Sequence, residues 1–298
     1  MRAWSSKAMA ALLGLFILYT SAFGAFESLI QRAIFLALVV CLGLLMFPLG
    51  AGRRWRPVGI AVDLLMAAVT LAACAYVIVN YDEIMGSLPT ATSLDIALTV
   101  GLVVTVLEVS RRAIGTIFPA IAVAGIAYAF FGKYLSGPLG HRGFDVDFIT
   151  ETLLLGDLGI WGLLVGVAST TIGALVLFGS VLLFTGGGQT FMDLAIRVSG
   201  RSPGGAAKMA TVASGLFGTI SGSAVANVAT TGNFTIPLMK RLGYPPALAG
   251  GIEAVASTGG QIAPPVMGAA AFVMAEIIGR SYFDIAMAAV LPAFLFYL

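Results

Sequence analysis

The chain has 298 residues, of which 59% are hydrophobic and only 10% are charged. Its mean hydropathy of +1.01 lies far outside the range of soluble domains, so the composition excludes an ordinary soluble protein and indicates a polytopic membrane protein. The net charge of +2 is too small to indicate nucleic-acid binding, and the expected surroundings of the chain are membrane lipid.

Six uninterrupted apolar runs are each long enough to cross a hydrocarbon core about 30 Å thick, which takes about 20 residues. The first run is longer than the apolar region of a typical signal peptide, so we expect a retained span there. The runs cover residues 8–24, 29–49, 58–80, 94–109, 113–132 and 159–185.

The distribution of basic residues predicts the orientation of these spans. With a cytoplasmic N-terminus, twelve of the 16 Lys and Arg residues fall in inner loops, which is a positive-inside bias. The outer four are Arg32, Lys133, Arg142 and Arg280, and the inner twelve are Arg2, Lys7, Arg53, Arg54, Arg56, Arg111, Arg112, Arg197, Arg201, Lys208, Lys240 and Arg241. Two acids inside the spans, Asp63 and Glu108, are expected to pair with arginines near the cytoplasmic ends.

The stretch from 215 to 276 is apolar enough to enter a bilayer, yet it is interrupted twice, at SGSAVANVATTG and at STGGQIAPP. In hydrocarbon, non-helical backbone persists only where it is buried in protein or lines a water-filled cavity. Broken helices at membrane depth mark the binding sites of carriers, so this pattern predicts transport.

The first interruption is expected to be the tip of a re-entrant hairpin, because basic residues flank residues 204–238 on both sides. Gly222 permits an unwound backbone at this tip. Ser221, Ser223 and Asn227 are candidate sodium ligands, because their neutral oxygens suit a dehydrated sodium ion. Packing of small residues between helices is the alternative interpretation.

The second interruption is predicted near the middle of the next span. Pro264 and Pro265 disfavour helix before them and remove two backbone donors, and Gly259 and Gly260 precede them. A helix restarting after the prolines would present its first N–H groups to an anion.

Two acids flank this second break, Glu253 and Glu276, and both are candidate proton carriers. Ordinary pairing within their helices is the alternative. The coupling ion is therefore open between sodium and proton.

Catalysis and cofactors are not expected. The single histidine, His141, lies in a predicted outer loop, so neither a metal site nor a catalytic pair within the membrane has a histidine donor. The G-x-S-x-G match at residues 200–204 falls in a predicted cytoplasmic turn rather than after a strand, and this excludes a nucleophile elbow.

The motifs SGSAVANVATTGNFTIPLMKRLGY and EAVASTGGQIAPPVMGAAAFVMAE resemble the membrane permease of tripartite ATP-independent periplasmic (TRAP) transporters, in particular the fused permease of the TAXI subclass. Weaker similarity extends from about residue 111 to the end. By position, the residues matching the family's substrate and cation contacts are Ser221, Gly222, Ser223, Asn227, Ser257, Thr258, Gly259, Gly260, Pro264 and Pro265.

The resemblance implies a multi-pass protein of the bacterial inner membrane that takes up small organic acids by an elevator mechanism. A sodium or proton gradient drives the uptake, and a periplasmic substrate-binding protein delivers the solute. The alternatives are a sodium-coupled anion symporter that needs no binding protein, a channel, and a noncatalytic membrane scaffold.

The predicted fold class is an all-α polytopic membrane protein with six conventional spans, a re-entrant hairpin and a broken helix, forming the first half of an inverted-repeat elevator carrier. We expect the sequence to be the N-terminal portion of a longer permease. The predicted regions are a scaffold resembling the small subunit (1–110), scaffold spans of the large permease domain (111–190), the first half of the transport domain (191–280) and the start of a further span (281–298).

Overall fold

A computed structural model describes residues 2–50, 56–87, 90–200 and 202–298, and within these residues the chain forms helices and turns but no strands. Three of the basic residues assigned to inner loops, Arg53, Arg54 and Arg201, lie outside the described residues. The chain divides into two compact units, Met1–Thr170 and Thr171–Leu298.

Eight α-helices are described in the first unit and seven in the second. Those of the first unit are α1 (Arg2–Phe23), α2 (Ser28–Met46), α3 (Arg56–Val79), α4 (Tyr81–Gly86), α5 (Ser93–Ile114), α6 (Ile117–Phe131), α7 (Val146–Leu153) and α8 (Leu163–Val167). Those of the second unit are α9 (Gly173–Phe184), α10 (Gly187–Ser199), α11 (Gly205–Ser221), α12 (Ala224–Arg241), α13 (Pro246–Gly259), α14 (Ala269–Ile278) and α15 (Tyr282–Tyr297).

Six helical segments in the described ranges are long and apolar enough to cross a bilayer, and each coincides with a predicted span. A π-helical turn, Ala168–Ile172, joins α8 to α9 within the sixth segment. The segments are Trp4–Phe23, Ser28–Met46, Pro57–Val79, Ser93–Ile114, Ile117–Tyr134 and Leu163–Phe184. The prediction of an all-helical protein with six conventional spans is therefore confirmed.

Local sequence explains where α5 begins and ends. Thr92 and Asp95 form a capping box, in which the Thr92 side chain accepts from the Asp95 N–H and the Asp95 carboxylate accepts from the Thr92 N–H. The helix ends at Ile114 and is followed by Gly115, whose φ of 92° is accessible to glycine. Arg111 and Arg112 occupy the last turn, where positive charge is favourable next to the free carbonyl groups.

The core of the first unit is formed mainly by α2, α3 and α5. Buried side chains from these helices, among them Leu29, Val77 and Leu102, pack together with Trp161 from the turn before α8. Cys41 and Cys74 are both free and buried. They behave as small apolar side chains, as the sequence predicts.

Two acids within the spans, Asp63 and Glu108, are paired with arginine. Arg112 contacts Asp63 at 2.6 Å and Glu108 at 2.7 Å, and its side chain is only 6% exposed. Arg111 contacts Glu108 at 2.8 Å but is 47% exposed. One buried guanidinium group therefore joins α3 to α5, and the predicted pairing of both acids is confirmed.

His141 has a structural role in the loop before α7. Its Nδ1 accepts a hydrogen bond from the Gly143 N–H at 3.0 Å, and its Nε2 lies 3.0 Å from the Tyr128 carbonyl oxygen. The neutral ring with its proton on Nε2 satisfies both contacts.

Replacing Arg112 with alanine is expected to destabilise the first unit by about 3 kcal/mol, because the variant leaves two acids in the spans without the buried cation that holds them. Arg111→Ala is the matched control and should cost about 0–1 kcal/mol, because Arg111 is exposed. Thermal unfolding of the purified protein in detergent measures both effects. Equal stability of the two variants would contradict the structural role given to Arg112.

Candidate functional site

The first interruption is a tight turn between two packed helices of the second unit. Helix α11 ends at Ser221, Gly222 adopts a left-handed conformation with φ of 59°, and α12 begins at Ala224. The Ser223 side chain accepts a hydrogen bond from the Ala226 N–H at 3.3 Å and so caps α12. Residues 205–241 therefore form a helical hairpin with its turn at the predicted glycine.

The second interruption is a non-helical segment of nine residues, 260–268, between α13 and α14. Its backbone follows successive turns, and the Gly268 N–H donates to the Gln261 carbonyl at 2.7 Å. The Pro264–Pro265 peptide bond is cis, and Met267 has a positive φ of 54°. The helix thus breaks at the predicted glycine and proline residues and restarts at Ala269.

The hairpin turn and the broken segment are in direct backbone contact. The Val266 N–H donates to the Thr219 carbonyl at 3.1 Å. A Cβ atom on Gly222 would overlap the Met267 carbonyl oxygen, and one on Gly260 would overlap the Gly218 backbone. These glycines are required because the two backbones approach too closely for any side chain.

A cavity of about 640 Å³ lies beside this contact. Its volume falls within the usual range for small-molecule sites, and its walls are mostly apolar. Ser223 and Gln261 are the two lining residues with polar side chains. The lining residues are Gly222, Ser223, Gln261, Ile262, Met267, Gly268, Ala269, Ala270, Ala271, Met274, Ile285, Ala288 and Ala289.

Two of the residues predicted to contact substrate or cation, Gly222 and Ser223, line this cavity. Ser221 lies next to them, and its hydroxyl accepts weakly from the Ser223 N–H at 3.5 Å. Pro265 is exposed, and its carbonyl accepts from the Tyr282 hydroxyl at 2.8 Å. Pro264 is half-buried in the same segment.

Others among the predicted residues do not line the cavity. Thr258 is exposed, and its hydroxyl donates to the Ala254 carbonyl one turn earlier. Gly259, the last residue of α13, faces the aromatic ring of Phe296 on α15. Gly260 faces α11, as described above.

Asn227 and Ser257 point into the protein interior. The Asn227 amide nitrogen donates to the Ser214 carbonyl at 2.7 Å, and its side chain is only 1% exposed. The Ser257 hydroxyl lies 3.1 Å from the Glu253 carboxylate. In this conformation both side chains belong to the packing between α11, α12 and α13.

Glu253 is completely buried, whereas the other candidate proton carrier, Glu276, is exposed on α14. The Glu253 carboxylate is surrounded by hydroxyl groups of Ser214, Thr231 and Thr235, which the sequence analysis did not identify. The spacing of the two threonines in the sequence could have identified them. Thr231 and Thr235 follow Asn227 at intervals of four residues, which places all three on one face of α12.

Six apolar helices followed by a helical hairpin and a broken helix define a multi-pass membrane protein with the architecture of a secondary carrier. Residues 99–298 match the family described as the DctM component of the tripartite ATP-independent periplasmic transporters. The match covers 200 of the 298 residues. The chain therefore belongs to this family, the large permease of TRAP transporters, as the sequence motifs indicate.

Three similar proteins illustrate the relationship. The C4-dicarboxylate TRAP transporter large permease protein DctM of Pseudomonas aeruginosa is 39% identical over 90 residues, which are 30% of this chain and 21% of that protein. The 2,3-diketo-L-gulonate TRAP transporter large permease protein YiaN of Escherichia coli is 29% identical over 150 residues, which are 50% of this chain and 33% of that protein.

The uncharacterized protein YgiK of Salmonella typhimurium is 38% identical over 90 residues, which are 30% of this chain and 21% of that protein. The chain thus spans a fifth to a third of the length of these relatives. No solved structure matches the chain.

Replacing Gly260 with alanine tests the close contact between the hairpin and the broken segment. The new methyl group would overlap Gly218, so we expect a loss of about 1–3 kcal/mol in stability, the usual cost of overpacking. Gly250→Ala on α13 is the control, because no atom lies within 4 Å of a Cβ atom there. It should be neutral or stabilising by up to about 1 kcal/mol.

Thermal unfolding of both variants in detergent provides the comparison. Wild-type stability of Gly260→Ala would show that the two backbones are not in contact.

Proposed function

We propose that the chain is the permease of a secondary uptake system of the bacterial inner membrane that carries small organic acids. A periplasmic binding protein delivers the solute, and a sodium or proton gradient drives its uptake. The observation that carries this proposal is the cavity between the hairpin turn and the broken helix, in a chain that belongs to the TRAP large permease family.

The cavity has the chemistry that an organic acid needs. The first residues of α14, Ala269, Ala270 and Ala271, line it together with the capping residue Gly268. The Ala271 N–H donates to the Gly268 carbonyl at 2.9 Å. The first N–H groups of a helix carry partial positive charge and lack a partner within the helix, so those of Ala269 and Ala270 favour a carboxylate. The apolar wall accommodates the carbon skeleton, and the Gln261 amide can hydrogen-bond to a hydroxyl or keto group.

The names of two relatives support this solute class. They refer to 2,3-diketo-L-gulonate and to C4-dicarboxylates, which are both small organic acids. We extend the class to this chain and leave the individual solute open.

The finer features of the proposal rest on the resemblance of the motifs. They are a fused permease of the TAXI subclass, a re-entrant hairpin that enters from the cytoplasmic side, and elevator movement of a transport domain against a scaffold. Discontinuous helices of this kind form the substrate and ion sites of inverted-repeat carriers.

Uptake by the full-length permease in proteoliposomes tests the function. We expect solute accumulation only when both the purified binding protein and an inward sodium or proton gradient are present. Gradient-driven accumulation without the binding protein would instead identify an autonomous symporter. Solute flux that requires neither the binding protein nor an ion gradient would identify a channel. Absence of flux under every condition would favour a scaffold.

Gln261→Leu is expected to raise the KM for uptake at least tenfold with little change in stability, because Gln261 lines the cavity and leucine has nearly the same size as glutamine. Thr258→Val on α13 is the control, since Thr258 is exposed outside the cavity. Initial uptake rates over a range of solute concentrations measure both. An unchanged KM for Gln261→Leu would remove Gln261 from the solute site.

Cysteine labelling tests the proposed topology, with a cytoplasmic N-terminus. Leu242 follows the basic pair that ends α12, and Leu139 lies in the loop between the fifth and sixth spans; both side chains are exposed. In a background without Cys41 and Cys74, an impermeant reagent added outside intact cells should modify Leu139→Cys and not Leu242→Cys. Equal modification at the two positions would contradict the cytoplasmic turn.

A further inference from the structure

Hydroxyl groups from three helices enclose the carboxyl group of Glu253 on α13. Ser214 on α11 donates to Oε1 at 2.7 Å, and Thr235 on α12 donates to Oε2 at 2.5 Å. Thr231 and Ser257 also contact Oε1, Ser257 at 3.1 Å. All five side chains are completely buried. The group is a titratable carboxyl at the junction of three helices, outside the cavity.

No cationic side chain in the described ranges contacts this carboxyl group. Glu253 is the only charged residue of α13, and the helices packed against α13 are α11, α12 and α15. The ionisable residues of those three helices are Lys208, Lys240, Arg241 and Asp284, which are exposed, and Tyr282 and Tyr297, whose hydroxyls donate to the backbone carbonyls of Pro265 and Ala256.

Each of the two threonine hydroxyls has one proton and a choice of two acceptors. Thr231 lies 2.9 Å from the Asn227 carbonyl as well as against Glu253. Thr235 lies 3.0 Å from the Thr231 carbonyl and 2.5 Å from Glu253. A hydroxyl donates only one hydrogen bond at a time. Each threonine can therefore direct its proton either to the carboxyl group or to the backbone carbonyl, and the hydrogen bonds of the network can be arranged in more than one way.

One arrangement suits an ionised carboxylate. Ser214, Thr231, Thr235 and Ser257 all donate to it, and such donors are what a buried carboxylate requires. The other arrangement suits a neutral carboxyl. Its O–H on Oε2 donates to the Thr235 hydroxyl, whose proton turns to the Thr231 carbonyl, while the two serines still donate to Oε1. Glu253 can therefore gain or lose a proton without leaving a buried group unsatisfied.

The hydroxyl and carboxylate oxygens around Glu253 lie at hydrogen-bond distances, with Thr235 at 2.5 Å and Ser214 at 2.7 Å.

We propose that Glu253 is a proton-binding site of this permease, and that uptake and release of its proton switch the hydrogen bonds that join α11, α12 and α13. A further step, in which this proton is the one coupled to solute uptake, rests on the proposed transport function. The binding of the proton to Glu253 does not depend on the proposed transport function.

Infrared difference spectroscopy of the purified full-length permease tests the site directly. As the pH is lowered, the wild type should gain the C=O stretching band of a buried protonated carboxyl group, and Glu253→Gln should lack this band. Glu276→Gln makes the same change at an exposed position, and this variant should keep the band. Spectra of Glu253→Gln that match those of the wild type across the pH range in which the protein is folded would overturn the proposal.

Ser257→Ala provides a second variant if Glu253→Gln does not fold. It removes a hydroxyl that donates to Oε1, the carbonyl oxygen of the protonated group, so the band should persist but shift to higher frequency because the C=O accepts one hydrogen bond fewer. An unchanged band position would overturn the network. Ser180→Ala on α9, whose hydroxyl donates only within its own helix at 2.8 Å, should leave the band position unchanged.

Uptake assays test the coupling step separately. In Glu253→Gln, accumulation driven by a pH gradient should be lost while exchange of solute across the membrane continues. Retained accumulation would refute coupling through Glu253. Failure of the wild type to transport under any gradient would refute the proposed function, and the infrared spectra would still decide whether Glu253 binds a proton.

Discussion

The contact between the backbone of α11 and the broken segment 260–268 is the constraint on which the candidate site depends. Gly218 and Gly260 allow the two backbones to touch, and the Thr219 carbonyl accepts the Val266 N–H. An unwound segment within an apolar protein survives only if its polar backbone groups have partners. The contact supplies such a partner, and the cavity beside it exists because the segment is not helical.

Asp63 and Glu108 in the first unit and Glu253 in the second are stabilised in different ways. In the first unit the guanidinium of Arg112 contacts Asp63 and Glu108, so negative charge is balanced by a permanent positive charge. In the second unit Glu253 is surrounded by neutral hydroxyl groups. A fixed cation keeps a carboxylate ionised, whereas hydroxyls can serve either charge state. The first arrangement suits a structural role, and the second permits the charge of the group to change.

Much of the fold could be predicted because it depends on interactions local in the chain. Apolar runs of sufficient length predicted the six candidate spans found in the described residues. A helix can cross hydrocarbon because its backbone N–H and C=O groups are hydrogen-bonded within the helix itself. Gly222 and the pair Pro264 and Pro265 marked both interruptions, because positive φ and the missing proline donors are properties of single residues. The motifs around these breaks were sufficient to indicate the family.

The sequence by itself determined the class of membrane protein, the positions of the six candidate spans and of the two breaks, and the family. Only the tertiary structure decided which polar side chains of the second unit face the cavity and which face the core. Asn227 and Ser257, predicted to contact the ligand, turn instead toward Ser214 and Glu253, and Gln261 was found only as part of the cavity wall. Helical spacing places residues on a common face, but the neighbouring helix that this face meets is set by long-range packing.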